Sequence, residues 1–258
     1  IKTEKAPHIV GFSNYLWNQQ LNNYFINEIN NRFPDAVLCM GGPLIRTDRC
    51  GIFEFLCKNS AVDYYAMFEG EMPLGNLVEY FLSKGKIIKK LACDVDIPGI
   101  AYVSNDKELV FTKLELGKGF IENVPSPYLT GWLDEWVSSP NWVPMLETNR
   151  GCPYHCTFCT WGISVGNLVR KFPQEQVLDE IKYISKKSPS PRWIIVDANF
   201  GIIDRDIEIA KEIRRVADEK RIIKSTMLFW AKNSTRRTLE ISRILGMLLD
   251  PKIAVQSL

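Results

Sequence analysis

Gly151-Cys-Pro-Tyr-His-Cys-Thr-Phe-Cys-Thr-Trp161 places Cys152, Cys156 and Cys159 at C-x3-C-x2-C spacing, with Phe158 just before the third cysteine. A cubane [4Fe–4S] cluster is ordinarily held by four thiolates. Three thiolates on one short loop bind three irons and leave the fourth open to a substrate or cofactor atom. A structural zinc site needs a closed set of four ligands, normally in two pairs, and the chain has no second C-x2-C. His155 lies between two of these cysteines and is poorly placed as a fourth ligand. Cysteines this crowded suit metal in a reducing cell better than a disulfide framework. A plain electron-transfer cluster would want a fourth cysteine close by, and none follows.

At these residues the chain resembles the radical S-adenosylmethionine (SAM) superfamily, whose cluster motif has this spacing and an aromatic before the third cysteine. Val143-Pro-Met-Leu-Glu-Thr-Asn-Arg150 looks like the first barrel strand, delivering the cluster loop at its carboxyl end. The resemblance implies that Cys152, Cys156 and Cys159 hold the cluster, with Phe158 on the SAM side. It also implies that the open iron chelates the amino and carboxylate groups of SAM. Reductive cleavage would then give methionine and a 5′-deoxyadenosyl radical, with flavodoxin or ferredoxin as reductant.

A chain of 258 residues has room for one large or two ordinary domains. With 46% hydrophobic and 24% charged residues it is of globular, not disordered, composition. The net charge of +2 without a basic stripe gives no sign of a nucleic-acid partner or an acidic membrane surface. No signal peptide or membrane-length apolar run is present, so a cytoplasmic protein is expected. Cys39, Cys50, Cys57 and Cys93 then read as scattered buried thiols of a cytosolic protein. The chain starts at Ile1 and ends on an apolar run at 253–258, which would leave a bare strand edge. A fragment of a longer polypeptide is expected.

In the first half, strands are expected at 7–13, 36–40 and 62–68. The helix after the first strand would turn Leu21, Phe25 and Ile29 inward, and the helix after the third carries Leu77, Val78, Phe81 and Leu82. Alternating strands and helices predict a parallel α/β sheet, with ligands at the carboxyl ends of the strands, where Gly41 and Gly42 lie. Residues 97–111 read as a hairpin around Ser104-Asn-Asp106. This half resembles the cobalamin (B12)-binding domain that precedes many radical SAM barrels. The resemblance lies in Ser13-Asn-Tyr-Leu-Trp-Asn18, Gly41-Gly42-Pro43 and Gly70-Glu71, in that order. It implies the C-terminal part of a flavodoxin-like (Rossmann-type) domain with cobalamin as a further cofactor. Ser13 and Leu16 would lie near the lower face of the nucleotide loop, and Gly41 and Gly42 along its tail. The D-x-H-x-x-G motif of the lower cobalt ligand is absent. Its echo at His8-Ile-Val-Gly11 has Ala6 in the Asp position and reads as a histidine at the start of a strand.

Residues 117–144 read as a stiff linker with Pro125, Pro127, Pro140 and Pro144, its Trp132, Trp136 and Trp142 packing against a domain. Beyond it, β/α repeats follow. One helix is opened by Pro173 and striped with Val177, Leu178, Ile181 and Ile184; a second carries Ile207, Ala210, Ile213, Val216 and Ala217; a third spans 239–249. Strands are expected at 193–200, 225–230 and 253–258, and the resemblance makes this a truncated (β/α) partial TIM barrel. Working groups gather at the carboxyl ends of such strands, which points to Asp197, Asn199, Trp230, Lys232 and Gln256. Asp197-Ala-Asn-Phe200 stands where many radical SAM proteins carry a Gly-Gly-Glu-like segment touching the SAM amino group, so the resemblance assigns Asp197 and Asn199 to SAM. Arg150 and Arg170 flank the cluster loop. The expected domains are 1–116, a linker at 117–144, and 145–258. The expected function is cobalamin-associated radical SAM catalysis, either methyl transfer or a radical rearrangement on a small-molecule or natural-product substrate. The alternatives are a methylthiotransferase-like enzyme, which would need a second three-cysteine domain upstream, and a non-catalytic iron–sulfur or zinc-binding protein.

Overall fold

The computed structural model of the chain describes residues 5–113, 121–159, 168–233 and 236–249. Two compact units divide it, residues 1–116 and 117–258.

In unit 1, β1 (Ile9–Ser13), α1 (Gln19–Arg32), β2 (Val37–Gly41), α2 (Arg49–Lys58), β3 (Tyr64–Ala66) and α3 (Glu71–Lys84) alternate, followed by β4 (Ile100–Val103) and β5 (Leu109–Phe111). The sheet runs β1-β2-β3-β4-β5, with the first three strands parallel and the last two antiparallel. Burial on both faces explains the apolar runs in the strands. From β2, Leu38 and Met40 pack with Ile26 and Ile29 of α1 and Ile52 and Leu56 of α2. Val37 and Cys39 point the other way, to Leu77 and Phe81 of α3.

Cys39 is buried as expected, but Cys50, Cys57 and Cys93 are exposed. Two further points differ from expectation. The inward face of α1 is Asn22, Ile26 and Ile29, while Leu21 and Phe25 are exposed. Asn22 is drawn in because its Nδ2 donates to the Ser13 carbonyl at 2.7 Å, which rotates the helix away from the stripe of largest side chains. The helix α2 was not expected. Its local signal is Asp48, which caps it by accepting from the Gly51 amide at 2.9 Å and is held by Arg46.

The described part of unit 2 begins with residues 121–144, which fold onto its core: Ile121, Tyr128 and Val137 are buried there, and the Tyr128 hydroxyl donates to the Met145 carbonyl. Within this stretch α4 (Asp134–Val137) is tied to α5 (Gln174–Lys187) by a hydrogen bond from the Tyr183 hydroxyl to Asp134 and an ion pair with Lys187. Trp142 packs on the core, whereas Trp132 and Trp136 are exposed. Three parallel strands follow in the order β10-β9-β6, namely β10 (Ser225–Met227), β9 (Arg192–Ile195) and β6 (Met145–Leu146). Each is followed by a helix, α5 after β6, α6 (Asp206–Lys220) after β9 and α7 (Arg236–Leu245) after β10. Leu146, Trp193 and Ile195 meet Val177, Ile181, Ile209, Ile213 and Ile241 in one core. The strand expected at 143–150 is divided. After β6 the chain bends, and β7 (Asn149–Arg150) pairs instead with β8 (Arg170–Lys171) in an antiparallel ladder. The strand expected at 253–258, with Gln256, lies outside the described residues. Among the described residues no helix is long and apolar enough to cross a membrane.

Candidate functional site

The three cysteines follow directly on β7. Cys152 is buried, Cys156 and Cys159 are half-buried, and all are free thiols. A turn in which the Cys159 amide donates to the Cys156 carbonyl at 3.0 Å brings the second and third together. Gly151, with φ +104°, sets the start of the loop. A side chain there would put Cβ 2.1 Å from the Leu168 carbonyl oxygen, where the returning strand passes. Phe158 is 88% exposed and His155 is exposed. Among the described residues no three His, Cys, Asp or Glu side chains are already gathered as a metal-binding group. The fit to an iron–sulfur cluster therefore rests on the donor set, three unpaired thiols within one loop, held near each other by a turn.

Beneath the loop lies a buried carboxylate. Asp197, 1% exposed just beyond β9, accepts from the Thr148 amide (2.7 Å), the Thr148 hydroxyl, the Asn149 amide (3.2 Å) and Asn149 Nδ2 (2.7 Å). These four donors fill the acceptor positions of a carboxylate. Burial pushes its pKa up to about 7, against the pull of those same hydrogen bonds. Asp206, at the start of α6, accepts from the amides of Gly201 (2.8 Å) and Ile203 (3.3 Å), and burial pushes it up to about 6. Asn199 is fully buried on the same strand exit, and among the described residues neither its Oδ1 nor its Nδ2 has a hydrogen-bond partner. A buried amide in that state keeps its donors and acceptor available.

The other expected residues are dispersed. Trp230 is buried and bridges to Phe200, and Lys232 is exposed. Arg150 pairs with Glu147 at 2.8 Å and lies over the Phe172 ring, and Arg170 is buried. Arg205 was missed: its guanidinium donates to the carbonyls of Thr148 and Phe172, and backbone acceptors leave no sequence spacing to find.

In unit 1 the carboxyl ends of β1 and β2 are fastened together. Asn14 is buried and its Nδ2 donates to the Leu44 carbonyl (2.8 Å) and the Tyr65 hydroxyl (3.2 Å), which itself donates to the Gly42 carbonyl (2.8 Å). Gly42 has φ +128°, and a Cβ there would lie 2.6 Å from the Asn14 carbonyl oxygen, so only glycine fits. Ser13 and Gly41 are register partners at these ends. The Ser13 hydroxyl accepts from Asn18 Nδ2 at 3.1 Å. Leu16 and Trp17 stand out at 77% and 80% exposure, with Trp17 stacked on Tyr15 at 4.6 Å. His8 sits exposed at the start of β1, at the opposite end of the strand.

This mixed α/β architecture is that of cobalamin radical SAM enzymes. The chain aligns over 94% of its length, at TM-score 0.60 and 18% identity, with the radical enzyme OxsB solved with aqua-cobalamin and SAM bound, covering 34% of that chain. It aligns over 95%, at TM-score 0.62 and 16% identity, with the methyltransferase TsrM from Kitasatospora setae solved with cobalamin and a [4Fe–4S] cluster, covering 47% of that chain. In sequence it is 31% identical, over 97% of its length, to the cobalamin-dependent radical SAM methyltransferase TokK of Streptomyces tokunonensis. It is 30% identical, again over 97%, to the 2-(S-pantetheinyl)-carbapenam-3-carboxylate methyltransferase of Streptantibioticus cattleyicolor. No protein-family profile matches. The chain belongs to the radical SAM proteins that carry a cobalamin-binding domain, and it spans 36% of the length of these two relatives.

Proposed function

We propose that the chain is the cofactor-handling part of a cobalamin-dependent radical SAM methyltransferase. In this reading unit 1 is part of a flavodoxin-like corrin-binding domain and unit 2 the opening β/α repeats of a partial TIM barrel. The observation that carries the reading is the pairing of a three-thiol loop with a buried, unpartnered amide at the adjoining strand exit. A [4Fe–4S] cluster bound through Cys152, Cys156 and Cys159 would supply the electron that splits the sulfonium carbon–sulfur bond of SAM, a reductant of the flavodoxin or ferredoxin type having reduced it.

The chain's own residues bind and orient. Asn199 offers one acceptor and two donor hydrogens, the complement of an ammonium and a carboxylate on SAM. Asp197, whose acceptor positions are filled from Thr148 and Asn149, shapes the loop instead of touching SAM. Phe158 is free to close over the bound adenosyl group. In unit 1, Leu16 gives an apolar surface to the lower nucleotide loop of cobalamin beside Ser13, and the strand end at Gly41 and Gly42 would lie along its tail. The acceptor of the methyl group is a small molecule, as the name of the carbapenam methyltransferase supports.

The test uses the full-length protein, purified without oxygen and reconstituted with iron, sulfide and cobalamin. The expected outcome is an electron paramagnetic resonance signal that SAM perturbs, with 5′-deoxyadenosine formed under dithionite and reduced to background in Cys156→Ala. Zinc bound in place of iron and sulfide, or a cluster indifferent to SAM, would overturn the reading.

A further inference from the structure

The neck of the cluster loop is closed by a side chain outside the cysteine motif. The loop leaves at Gly151 and returns at Leu168, where the two backbones touch. The ladder behind that contact has only the pairs Asn149↔Lys171 and Arg150↔Arg170. So short a two-stranded ribbon is not stable by itself. Arg205, at the N-terminal edge of α6, donates from Nη1 to the Phe172 carbonyl and from Nη2 to the Thr148 carbonyl. Those carbonyls flank the ladder, one on each strand, so a single guanidinium spans both. The Thr148 carbonyl also accepts from the Phe172 amide at 3.1 Å. Asp197 meanwhile holds the amides of Thr148 and Asn149. A planar fork fixes two acceptors at once, which a lysine ammonium does far less well.

We propose that Arg205, acting with Asp197, is a positioning residue of the iron–sulfur site: it holds the neck of the loop shut so that the three thiols stay within reach of one cluster. This rests on the cluster reading above, although Arg205 touches neither sulfur nor SAM. Groups that orient metal ligands from behind change metal retention by about 10–100-fold when removed.

The experiment compares the full-length protein with its Arg205→Met and Arg205→Lys variants. In metal-free protein, amide hydrogen exchange at Asn149, Arg150, Lys171 and Phe172 should quicken about tenfold or more in Arg205→Met, as expected on losing two charge-assisted bonds. The core amides of Ile194 and Ile195 should keep their protection. After reconstitution, Arg205→Met should lose iron to a chelator about 10–100-fold faster. Its SAM-bound paramagnetic signal should broaden, with Arg205→Lys in between. Neck amides that exchange at the parent rate would overturn the proposal, as would unchanged iron release. Should Arg205→Met fail to fold, the same two comparisons on Arg205→Lys decide. A parent protein that takes up no cluster would sink the cluster reading, while the exchange rates would still decide whether Arg205 closes the neck.

Discussion

Both units fasten the carboxyl ends of their strands, but with different chemistry. Unit 1 uses neutral groups, an asparagine amide, a tyrosine hydroxyl and backbone carbonyls, to join β1 to β2. Unit 2 uses ions. Asp197, Arg205 and Asp206 together fix the exits of β6 and β9 and both strands of the loop neck. Hydrogen bonds to ions are stronger than neutral ones. They also demand that charge be taken out of water, which pushes both carboxylates up and the guanidinium down. The ionic arrangement sits behind a ladder of two residue pairs, and the neutral one where a five-stranded sheet already supplies the rigidity.

The contrast is sharpest at Asp197. Asp197→Ala strands four donors in a buried place, and should lower stability by about 3–5 kcal/mol in urea unfolding followed by a unit 2 probe such as Trp193. A loss under about 1 kcal/mol would mean that the ionic arrangement is not what holds these strand ends. Next in size is Gly42→Ala, which forces an unfavourable φ and a collision with the Asn14 backbone. It should lower stability by about 2–3 kcal/mol, with amide exchange quickened in unit 1 alone. Equal loosening of unit 2 would show that the two arrangements are not independent.

The smallest effect is one of pH. The Asp206 pKa is raised by burial from 3.8 to about 6 in the folded chain. Its contribution is thus fully present below about pH 4 and is lost as pH rises through about 6. Asp206→Asn cannot ionise, so between pH 4 and 7 it should lose about 2 kcal/mol less stability than the parent. Unfolding curves at several pH values that fall in parallel for both proteins would remove Asp206 from the comparison. Asp63 in unit 1 is likewise raised to about 6 by burial, but it lies before β3, at the far end of the sheet from Gly42, and accepts from the Leu38 amide.

The cysteine spacing was legible because loop chemistry of this kind depends on short sequence separations. Helices α5 and α6 were legible too, since Val177, Ile181 and Ile184, and Ala210, Ile213 and Val216, keep helical period and bury as a stripe. In α1 the same rule failed: Asn22 competes for the inward position through one hydrogen bond, which hydrophobicity does not register. Asp197 was legible as a polar residue at a strand end, but its hydrogen bonds were not, because its partners Thr148 and Asn149 are far away in sequence. Arg205 was invisible for a further reason: its acceptors are carbonyls, which every residue has.

The touching backbones at Gly151 and Leu168 also bear on how this protein can change. In mechanical terms Gly151 is a datum: the cysteines at 152, 156 and 159 are counted from a point where the chain already lies against the Leu168 carbonyl. A single methyl group there, with its carbon 2.1 Å from that oxygen, could be admitted only by shifting the ladder pairs Asn149↔Lys171 and Arg150↔Arg170, and Cys152 would move with them.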